Sequence, residues 1–407
     1  MAAQRPCRLA DMTVRVRPVG LGKQAQPFID VLWRVYADDP VWTPPLRMQL
    51  ADQLNPKHNP FLRYGKAQLF VVARDGEDVG RITAHTNPEH DARYGERAGF
   101  FGFFECVDDA DCVRALIESA EDWLAGERVG WVRGPVSFTI NQEMGTLIDG
   151  FDTPPMVAMP HGRPYYDARL KDNGYAKVKD LLAWKYPLAN PDPRMNRVHD
   201  RVMREMDGIS IRQLEKKHLR RDVGIGIDIF NDAWQHNWGF LPVRDDEIDQ
   251  LAADLGQFAD PELTALVSIH GEPVAMVFAV PNLNEAARDV NGRLFPFGAI
   301  KVKWRLWRGL KTGRVMLLGI RPEYRTRKHA GLALLLFAQI HLRGQRRGYD
   351  WAELGWVLED NSLLNTGLKR AGASVYKRYR VYQKGGLPAQ AQDDASNDAA
   401  PAEGASR

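Results

Sequence analysis

The sequence predicts a mixed α/β protein built from two tandem copies of one domain. Three observations carry this reading. Short alternating apolar segments interleave with segments whose apolar residues recur at helical spacing. The hairpin turns Gly76-Glu77-Asp78-Val79 and Gly271-Glu272-Pro273-Val274 lie 195 positions apart. The phrase Leu170-Lys171-Asp172-Asn173-Gly174, followed by Val178-Lys179, matches Leu368-Lys369-Arg370-Ala371-Gly372, followed by Tyr376-Lys377, at an offset of 198. Similar offsets at separate places point to duplication.

In the first half, Thr13 to Val19 alternates as a strand and leads to a helix over Pro27 to Tyr36, ended by Asp38-Asp39-Pro40 and the rigid turn Trp42-Thr43-Pro44-Pro45. A hairpin over Gln68–Ala73 and Val79–Thr83 turns at Asp75-Gly76, a dipeptide suited to positive φ. A strand (Gly99 to Phe104), a helix (Asp111 to Ala125) and a strand (Gly130 to Gly134) follow. The second half repeats this order: a strand over Ser210–Leu214, a helix over Ile225–Trp238, an added helix over Asp245–Phe258, and a hairpin over Leu263–Ile269 and Val274–Val280. Next come a strand over Val315–Ile320, a basic turn over Arg321–Ala330, and a helix carrying Leu332, Leu335, Leu336 and Ile340 on one face. Each half closes on an aromatic strand, at Ala183–Tyr186 and Tyr379–Tyr382. The expected domains are 1–190 and 191–386, joined near Ala189-Asn190-Pro191-Asp192-Pro193. Residues 387–407, rich in Ala, Gln, Asp and Ser, read as a disordered tail.

Composition excludes several function classes. The 407 residues hold 55 Lys+Arg against 52 Asp+Glu, a net charge of +3, so no global field favours nucleic acid. Three cysteines, Cys7, Cys106 and Cys112, give neither a disulfide framework nor a zinc-ligand pattern, and a reducing compartment follows. Without a signal peptide or a long apolar run, the expected location is the cytoplasm. The phosphate-binding Gly-rich loop ending in Lys-Ser/Thr, the dinucleotide Gly-x-Gly-x-x-Gly, His-Glu-x-x-His and Gly-x-Ser-x-Gly are all missing. No metal is expected.

The stretch from Arg314 to Arg347 is the sharpest functional lead. A strand, a turn with Arg325, Arg327, Lys328 and His329, and a helix start make an anion cradle, because unpaired N–H groups and the positive helix end converge there. The corresponding turn of the first half, Glu105 to Asp111, carries four carboxylates and would repel an anion.

The element order across roughly residues 13 to 384 resembles the GNAT superfamily of N-acyltransferases. The phrases FFGFFE, DGFDTPPMVAMP, NWGFLP and WVLEDN resemble those of a bacterial group of tandem GNAT-like proteins, in or near which stand the bacterial ceramide synthases, acylators of a sphingoid amine. The resemblance implies acyl-CoA as the donor, held at Arg325-Thr326-Arg327-Lys328-His329-Ala330. Arg325 and Ala330 match the family's Arg/Gln-x-x-Gly-x-Gly/Ala turn, and Lys328 replaces its first Gly. It also implies backbone N–H donors around Leu318, Gly319 and Ile320, a contact from Asn361, and a tyrosine near Tyr376 as the acid that protonates the leaving thiolate.

Each candidate has a plainer alternative. Glu353, in an apolar strand with Trp351 and Gly355 on its face, is either a desolvated base or half of an ion pair. Asn361 also suits a helix N-cap, and Tyr376, Tyr379 and Tyr382 suit packing. His236 and Trp238 are candidate acceptor-channel residues or structural ones; Asn141 and Glu143, at a polar strand end, contact the acceptor or cap a turn. Ile300 to Lys311 sets Ile300, Trp304, Trp307 and Leu310 amid basic residues, fitting either a membrane-interface helix or one packed on its own domain. The expected function is transfer of an acyl group to an amine, a lipid amine included. The rivals are a non-catalytic acyl-CoA or membrane sensor, and a transferase using aminoacyl-tRNA or acyl carrier protein.

Overall fold

The computed structural model describes residues 13–258 and 260–385; Cys7 and the expected tail lie outside them. In chain order the strands and α-helices are β1 Val14–Val19, α1 Gln26–Val35, α2 Arg47–Gln53, α3 Phe61–Tyr64, β2 Lys66–Arg74, β3 Glu77–Thr86, α4 Pro88–Tyr94, β4 Ala98–Cys106, α5 Ala110–Gly126, β5 Trp131–Gly134, β6 Thr146–Asp149, α6 Tyr166–Asp172 and β7 Ala176–Pro187. The second half contributes α7 Pro193–Glu205, β8 Ile209–Arg212, α8 Leu219–Trp234, α9 Asp245–Phe258, β9 Thr264–Ile269, β10 Glu272–Pro281, α10 Leu283–Ala287, α11 Gly298–Arg308, β11 Thr312–Ile320, α12 Gly331–Arg346, β12 Trp351–Leu358, α13 Ser362–Arg370 and β13 Ser374–Gly385.

All strands join one mixed sheet in the order β1-β2-β3-β4-β5-β13-β7-β12-β11-β10-β9-β8, with β6 also on β13. Only β4/β5 and β11/β12 are parallel; the other pairs are antiparallel. The repeat is visible in its turns. Asp75 and Gly76 have φ 53° and 85°, and His270 and Gly271 have φ 48° and 84°, so both hairpins turn through two consecutive left-handed residues.

The sequence halves do not pair within themselves at their ends. The closing strand β13 of the second half lies between β5 and β7 of the first, while β7 pairs with β12. The two aromatic strands therefore face each other across the middle of the sheet, with Tyr379 opposite Leu181 and Arg380 opposite Asp180. That last pair is a bidentate ion pair, Nε to Oδ1 at 2.8 Å and Nη2 to Oδ2 at 3.0 Å, with Asp180 2% exposed. Burial pushes the Asp180 carboxyl up, but hydrogen bonds from Arg380 and Lys177 outweigh it and hold its pKa below the ordinary carboxylate value. Further along β13, the Tyr382 hydroxyl donates to Asp167 at 2.6 Å and Lys384 donates to Glu121 at 2.7 Å, pinning the strand to the first half.

Helices cover both faces of each half. On one side of the first half, α5 packs Val113, Leu116, Ile117 and Leu124 onto Val72, Ile82 and Phe104. On its other side, α1 packs Phe28, Ile29 and Leu32 onto Leu69, Val71 and Phe103. In the second half α12 buries Leu332, Leu335, Leu336 and Ile340 against β10 to β12, as its spacing predicts, and α8 buries Ile227, Ile229 and Phe230 on the opposite face.

Two expectations need correction. The helix expected over Ile225–Trp238 begins earlier, at Leu219, and stops at Trp234, because Gly224 and Gly226 are carried inside it and the turn begins at Gln235. The polar strand end expected around Asn141 is a loop: Ser137 N donates to Glu143 O and Gln142 N to Thr139 O, so the backbone satisfies itself locally instead of joining a ladder.

The strand exchange makes the Asp180–Arg380 pair a test of how the halves are joined. Asp180→Ala leaves the Arg380 guanidinium without its opposite charge in a largely buried seam, so stability falls by about 3 kcal/mol, read from the urea unfolding midpoint.

Candidate functional site

The two parallel strand pairs part after a few residues. In the first half β4 and β5 are in register only from Ala98↔Trp131 to Phe100↔Arg133, although β4 runs on to Cys106. The chain after β5 fills this gap. Val136 N donates to Phe101 O at 2.8 Å, and a Cβ on Gly102 would sit 2.0 Å from the Val136 carbonyl oxygen. In the second half β11 and β12 are in register only from Thr312↔Trp351 to Val315↔Leu354, and β11 continues through Leu318, Gly319 and Ile320 without a partner on that side. A bulge at Met316, where Phe278 and Ala279 face Leu317 and Val315, re-aims the free end. Here the gap is met by side chains: the Trp234 indole donates to Leu318 O at 3.2 Å and packs edge-on against Trp356.

The helices that follow these strands differ in the same way. The N-terminus of α5 is capped by Asp109, which accepts from Asp111 N and Cys112 N at 3.0 Å and is also paired with Arg74. The protein's own carboxylate thus occupies the anion position. Asp108 is paired with Arg169 at 2.8 Å, and Asp111 with Arg114. By contrast α12 starts at Gly331 behind Ala330 with no side-chain cap. Before it, Arg327, Lys328 and His329 form a single 3-10 turn in which Arg327 and Lys328 are exposed. Arg325 is engaged by the backbone, donating to Ile320 O at 2.9 Å and to Ala233 O at 2.5 Å, so it braces the turn against α8. Asn361 caps α13 by accepting from Leu364 N at 3.2 Å.

Glu353 sits on the first, paired part of β12 and has no accessible surface. Its neighbour in register on β11 is Arg314, whose Nε lies 3.1 Å from Glu353 Oε1 without hydrogen-bond alignment. Arg314 is itself held by carbonyls, at 2.8 Å from Val157, 2.9 Å from Ala158 and 3.1 Å from Gly355. Tyr376 of β13 is half-buried and donates a short hydrogen bond to Glu353 Oε2. Burial raises the Glu353 pKa, opposed by Arg314 and Tyr376, and the Tyr376 phenol is pushed far up by burial and by the adjacent carboxylate.

Lys377 and His161, to which the sequence reading gave no role, converge here with Tyr379, one of its tyrosine candidates. Lys377, fully buried, donates to Gly150 O at 2.8 Å and Thr153 O at 2.7 Å; burial lowers its ammonium pKa to about 8, against the pull of Glu353, Asp152 and Asp39. The buried Tyr379 hydroxyl has no hydrogen-bond partner among the described residues and feels both Glu353 and Arg314. His161 is paired with Asp39 at 3.0 Å and lies near Lys377. Residues 150–165 thus act as a strap from the first half across the second, supplying carbonyls to Lys377 and Arg314 and the His161 ring. The strap corresponds to the phrase Gly150-Phe151-Asp152-Thr153-Pro154-Pro155, whose conformation no periodicity announces.

Glu143 lies between two such clusters. Burial raises its pKa, and both Arg314 and the buried Arg81 oppose the rise. Arg81 faces Glu105 across β3 and β4, and Glu105 accepts from Tyr36 at 2.6 Å and Tyr166 at 2.7 Å. Asn141 donates to Leu241 O at 3.2 Å, tying its loop to the Trp238-Gly239-Phe240-Leu241 turn. Trp238 is covered by Arg133 and Lys179, 4.7 and 5.6 Å from its ring. It lines a small recess with Phe100, Arg133, Ile140, Met144 and Leu241. His236 is exposed in the turn after α8. Glu353 and Tyr376 are therefore brought into contact, Glu143 feels the same Arg314, Trp238 lines a neighbouring recess, and the exposed Asn141 only ties its loop to Leu241. Among the described residues no group of three or more His, Cys, Asp or Glu is placed to hold a metal ion.

Glu105 offers a test of these buried charges. Burial lifts its pKa from the ordinary 4.5 to about 7, against Arg81 and the two tyrosines. Between those pH values the folded state binds a proton that the unfolded chain does not, so stability falls as pH rises through that window. Relative to Glu105→Gln, the wild type should lose on the order of 2 kcal/mol from the bottom to the top of this window, read by urea unfolding at each pH.

No family model matches the chain. It is 40% identical over 354 residues to Protein YghO of Escherichia coli, covering 86% of this chain and 90% of that protein. It is 37% identical over 379 residues to the bacterial ceramide synthase of Caulobacter vibrioides, covering 92% and 98%. Among solved structures, a tandem GNAT protein from the clavulanic acid biosynthesis pathway superposes with a TM-score of 0.54 at 13% identity, over 92% of this chain and 98% of that one. A probable N-acyltransferase from Enterococcus faecalis superposes with a TM-score of 0.51 at 11% identity, over 93% and 74%. The chain has a tandem GNAT fold and belongs to the family that includes YghO and the bacterial ceramide synthase.

Proposed function

We propose that the protein is an N-acyltransferase that binds acyl-CoA in its second half and transfers the acyl group to an amine, the favoured acceptor being a long-chain lipid amine. The observation that carries this is the contrast between the two helix starts: Asp109 fills the one at α5, and the one at α12 is uncapped beside parted strands. Unpaired N–H groups at the start of α12, with Arg327 and Lys328 beside them, suit a pyrophosphate. The edge of β11 at Leu318 to Ile320 is paired by no described strand on that side, and its Leu318 and Ile320 carbonyls are held by Trp234 and Arg325. Through its N–H groups it suits the amide-bearing arm of the donor and the thioester carbonyl. The ceramide synthase relative supports the lipid acceptor. So does the seam, where Trp238, Trp351, Trp356 and Tyr376 lie partly open over Phe100, Met144, Met156 and Met159, an apolar lining that fits an alkyl chain.

The chemistry follows from the order of the pair. Tyr376 is the accessible member and Glu353 the buried one, so a proton released by the attacking nitrogen passes to the tyrosine oxygen while the phenol proton passes to Glu353. As the tetrahedral intermediate collapses, the carbon–sulfur bond breaks, and the same path in reverse protonates the departing thiolate. The amine gains a carbonyl carbon, the sulfur gains the proton, and the enzyme ends as it began. Arg314, locked by three carbonyls, opposes the rise that burial imposes on the Glu353 pKa.

Saturating acyl-CoA is expected to raise the melting temperature, and Lys328→Glu to weaken that shift. On an amine panel that includes sphinganine, Tyr376→Phe and Glu353→Gln should each lower kcat by about 100-fold while keeping the acyl-CoA thermal shift. Wild-type turnover in both variants would sink the proton-relay assignment, and the absence of any shift with acyl-CoA would sink the donor.

A further inference from the structure

The segment between β10 and β11 carries a surface that the transfer chemistry does not use. Phe295, Phe297, Ile300, Trp304 and Trp307 are 88%, 70%, 64%, 52% and 82% exposed, and they make up most of the large apolar side chains exposed among the described residues. They fall on α11 and the loop just before it. The other side of α11 is anchored: Val302 and Leu306 pack on the second-half core. Arg305 donates to Ala286 O at 2.8 Å and forks onto Asp289. The helix therefore cannot roll its aromatic side inward. Leu310, expected on the same face, lies past the helix end and is buried, 6% exposed.

The charge around this face has one sign. From residue 293 to 311 the chain has six Lys or Arg and no Asp or Glu. Arg293, Lys301, Lys303, Arg308 and Lys311 are exposed around the aromatic residues, and Arg308 lies 4.8 Å over the Trp304 ring. The nearby acids are spoken for, Asp289 by Arg305 and Glu285 by the backbone of Lys311 and Thr312 and the Thr312 hydroxyl. Of the exposed cations, Lys301 alone reaches an acid among the described residues, Asp289 at 3.7 Å. Exposed aromatic side chains on an anchored helix, ringed by these cations, match a surface that is apolar beneath an anionic layer.

We propose that this face docks on an anionic lipid bilayer, with α11 lying in the plane of the interface. None of the described helices is long and apolar enough to cross a membrane, so the attachment is peripheral. The docking face is also wired to the proposed chemistry. At its base Asn282 accepts from Val157 N at 3.2 Å, and Asn284 donates to Pro155 O at 3.0 Å. Those residues belong to the strap whose Val157 and Ala158 carbonyls hold Arg314 against Glu353. Docking would thus set the strap and the seam beneath it beside the bilayer, from which a lipid amine could be drawn. The proposal deepens the lipid-acceptor reading, but its test needs no turnover.

The test is cosedimentation of the full chain with vesicles of phosphatidylglycerol in phosphatidylcholine, and with vesicles of phosphatidylcholine alone. Binding is expected to the anionic vesicles, weakened by salt. The double variants Trp304→Ser/Trp307→Ser and Lys303→Glu/Arg308→Glu should each lose about 10-fold or more in binding while keeping the wild-type melting temperature, since all four side chains are exposed. Wild-type protein that stays in the supernatant, or variants that bind as well as wild type, would overturn the proposal. So would a concentration-dependent dimer that Trp307→Ser breaks in a protein that ignores vesicles, which would give the face to a second copy. Vesicle binding without acylation of any amine would leave the docking face standing and count against the transferase reading alone.

Discussion

The placement of β13 between β5 and β7 is the constraint on which the site depends. Tyr376, Lys377 and Tyr379 all ride on this strand: Tyr376 meets Glu353 on β12, Lys377 meets the carbonyls of Gly150 and Thr153 in the strap, and the Tyr379 hydroxyl lies in the field of Arg314 and Glu353. The strand holds its place by backbone pairing on both edges and by charged pairs, Arg380 with Asp180 and Lys384 with Glu121, that lock it to the first half. A GNAT half that closed on its own last strand would leave these groups on one side of a gap. Exchange of the closing strands converts two similar domains into one sheet with a shared interior.

That interior is electrostatically expensive, and its solution is cross-bracing. Burial disfavours the charges of Glu353, Glu143, Glu105, Arg81 and Lys377 alike, and each is opposed by a charge or hydrogen bond from another element. The compensation is incomplete: Arg81 Nε, Arg163 Nε, His161 Nδ1 and the Tyr379 hydroxyl are buried without partners among the described residues. Buried polar groups left without partners cost stability, so this region is held together less well than its charge pairs alone suggest. Asp222, by contrast, is well paired, taking hydrogen bonds from Arg212, Arg221 and Glu215 N.

Local pattern made most elements legible. The hairpins, α5, α12 and the outward set of Trp304 and Trp307 follow from turn chemistry and apolar spacing, and the duplication follows from matched turns. The Glu353–Tyr376 pair was reachable because each residue stood out in its own segment, one as a carboxylate in an apolar strand and the other in an aromatic one. What was not legible is register. That Arg314 lies beside Glu353, and Arg81 beside Glu105, depends on which residues of neighbouring strands align, and strand exchange removes even the prior that a half pairs with itself. Lys377 stood in the quoted repeat match next to Tyr376, yet its burial arises only because the strap folds over it. The strap has no periodicity, so its carbonyls, and His161 with them, could not be placed.

The two halves differ in what fills their corresponding features. In the first half Asp109 takes the helix N-terminus, Val136 takes the strand gap, and Glu105 accepts from two tyrosines. Each of these is a structural bond within the half that supplies β5, β7 and the strap. The second half keeps its helix start open and its strands parted, and carries the aromatic basic insertion at the opposite end of β11 from the turn before α12. A donor entering at that turn and an acceptor arriving from the insertion side would approach β11 from its two ends. Glu353 and Tyr376, on the strands between, lie where such paths meet.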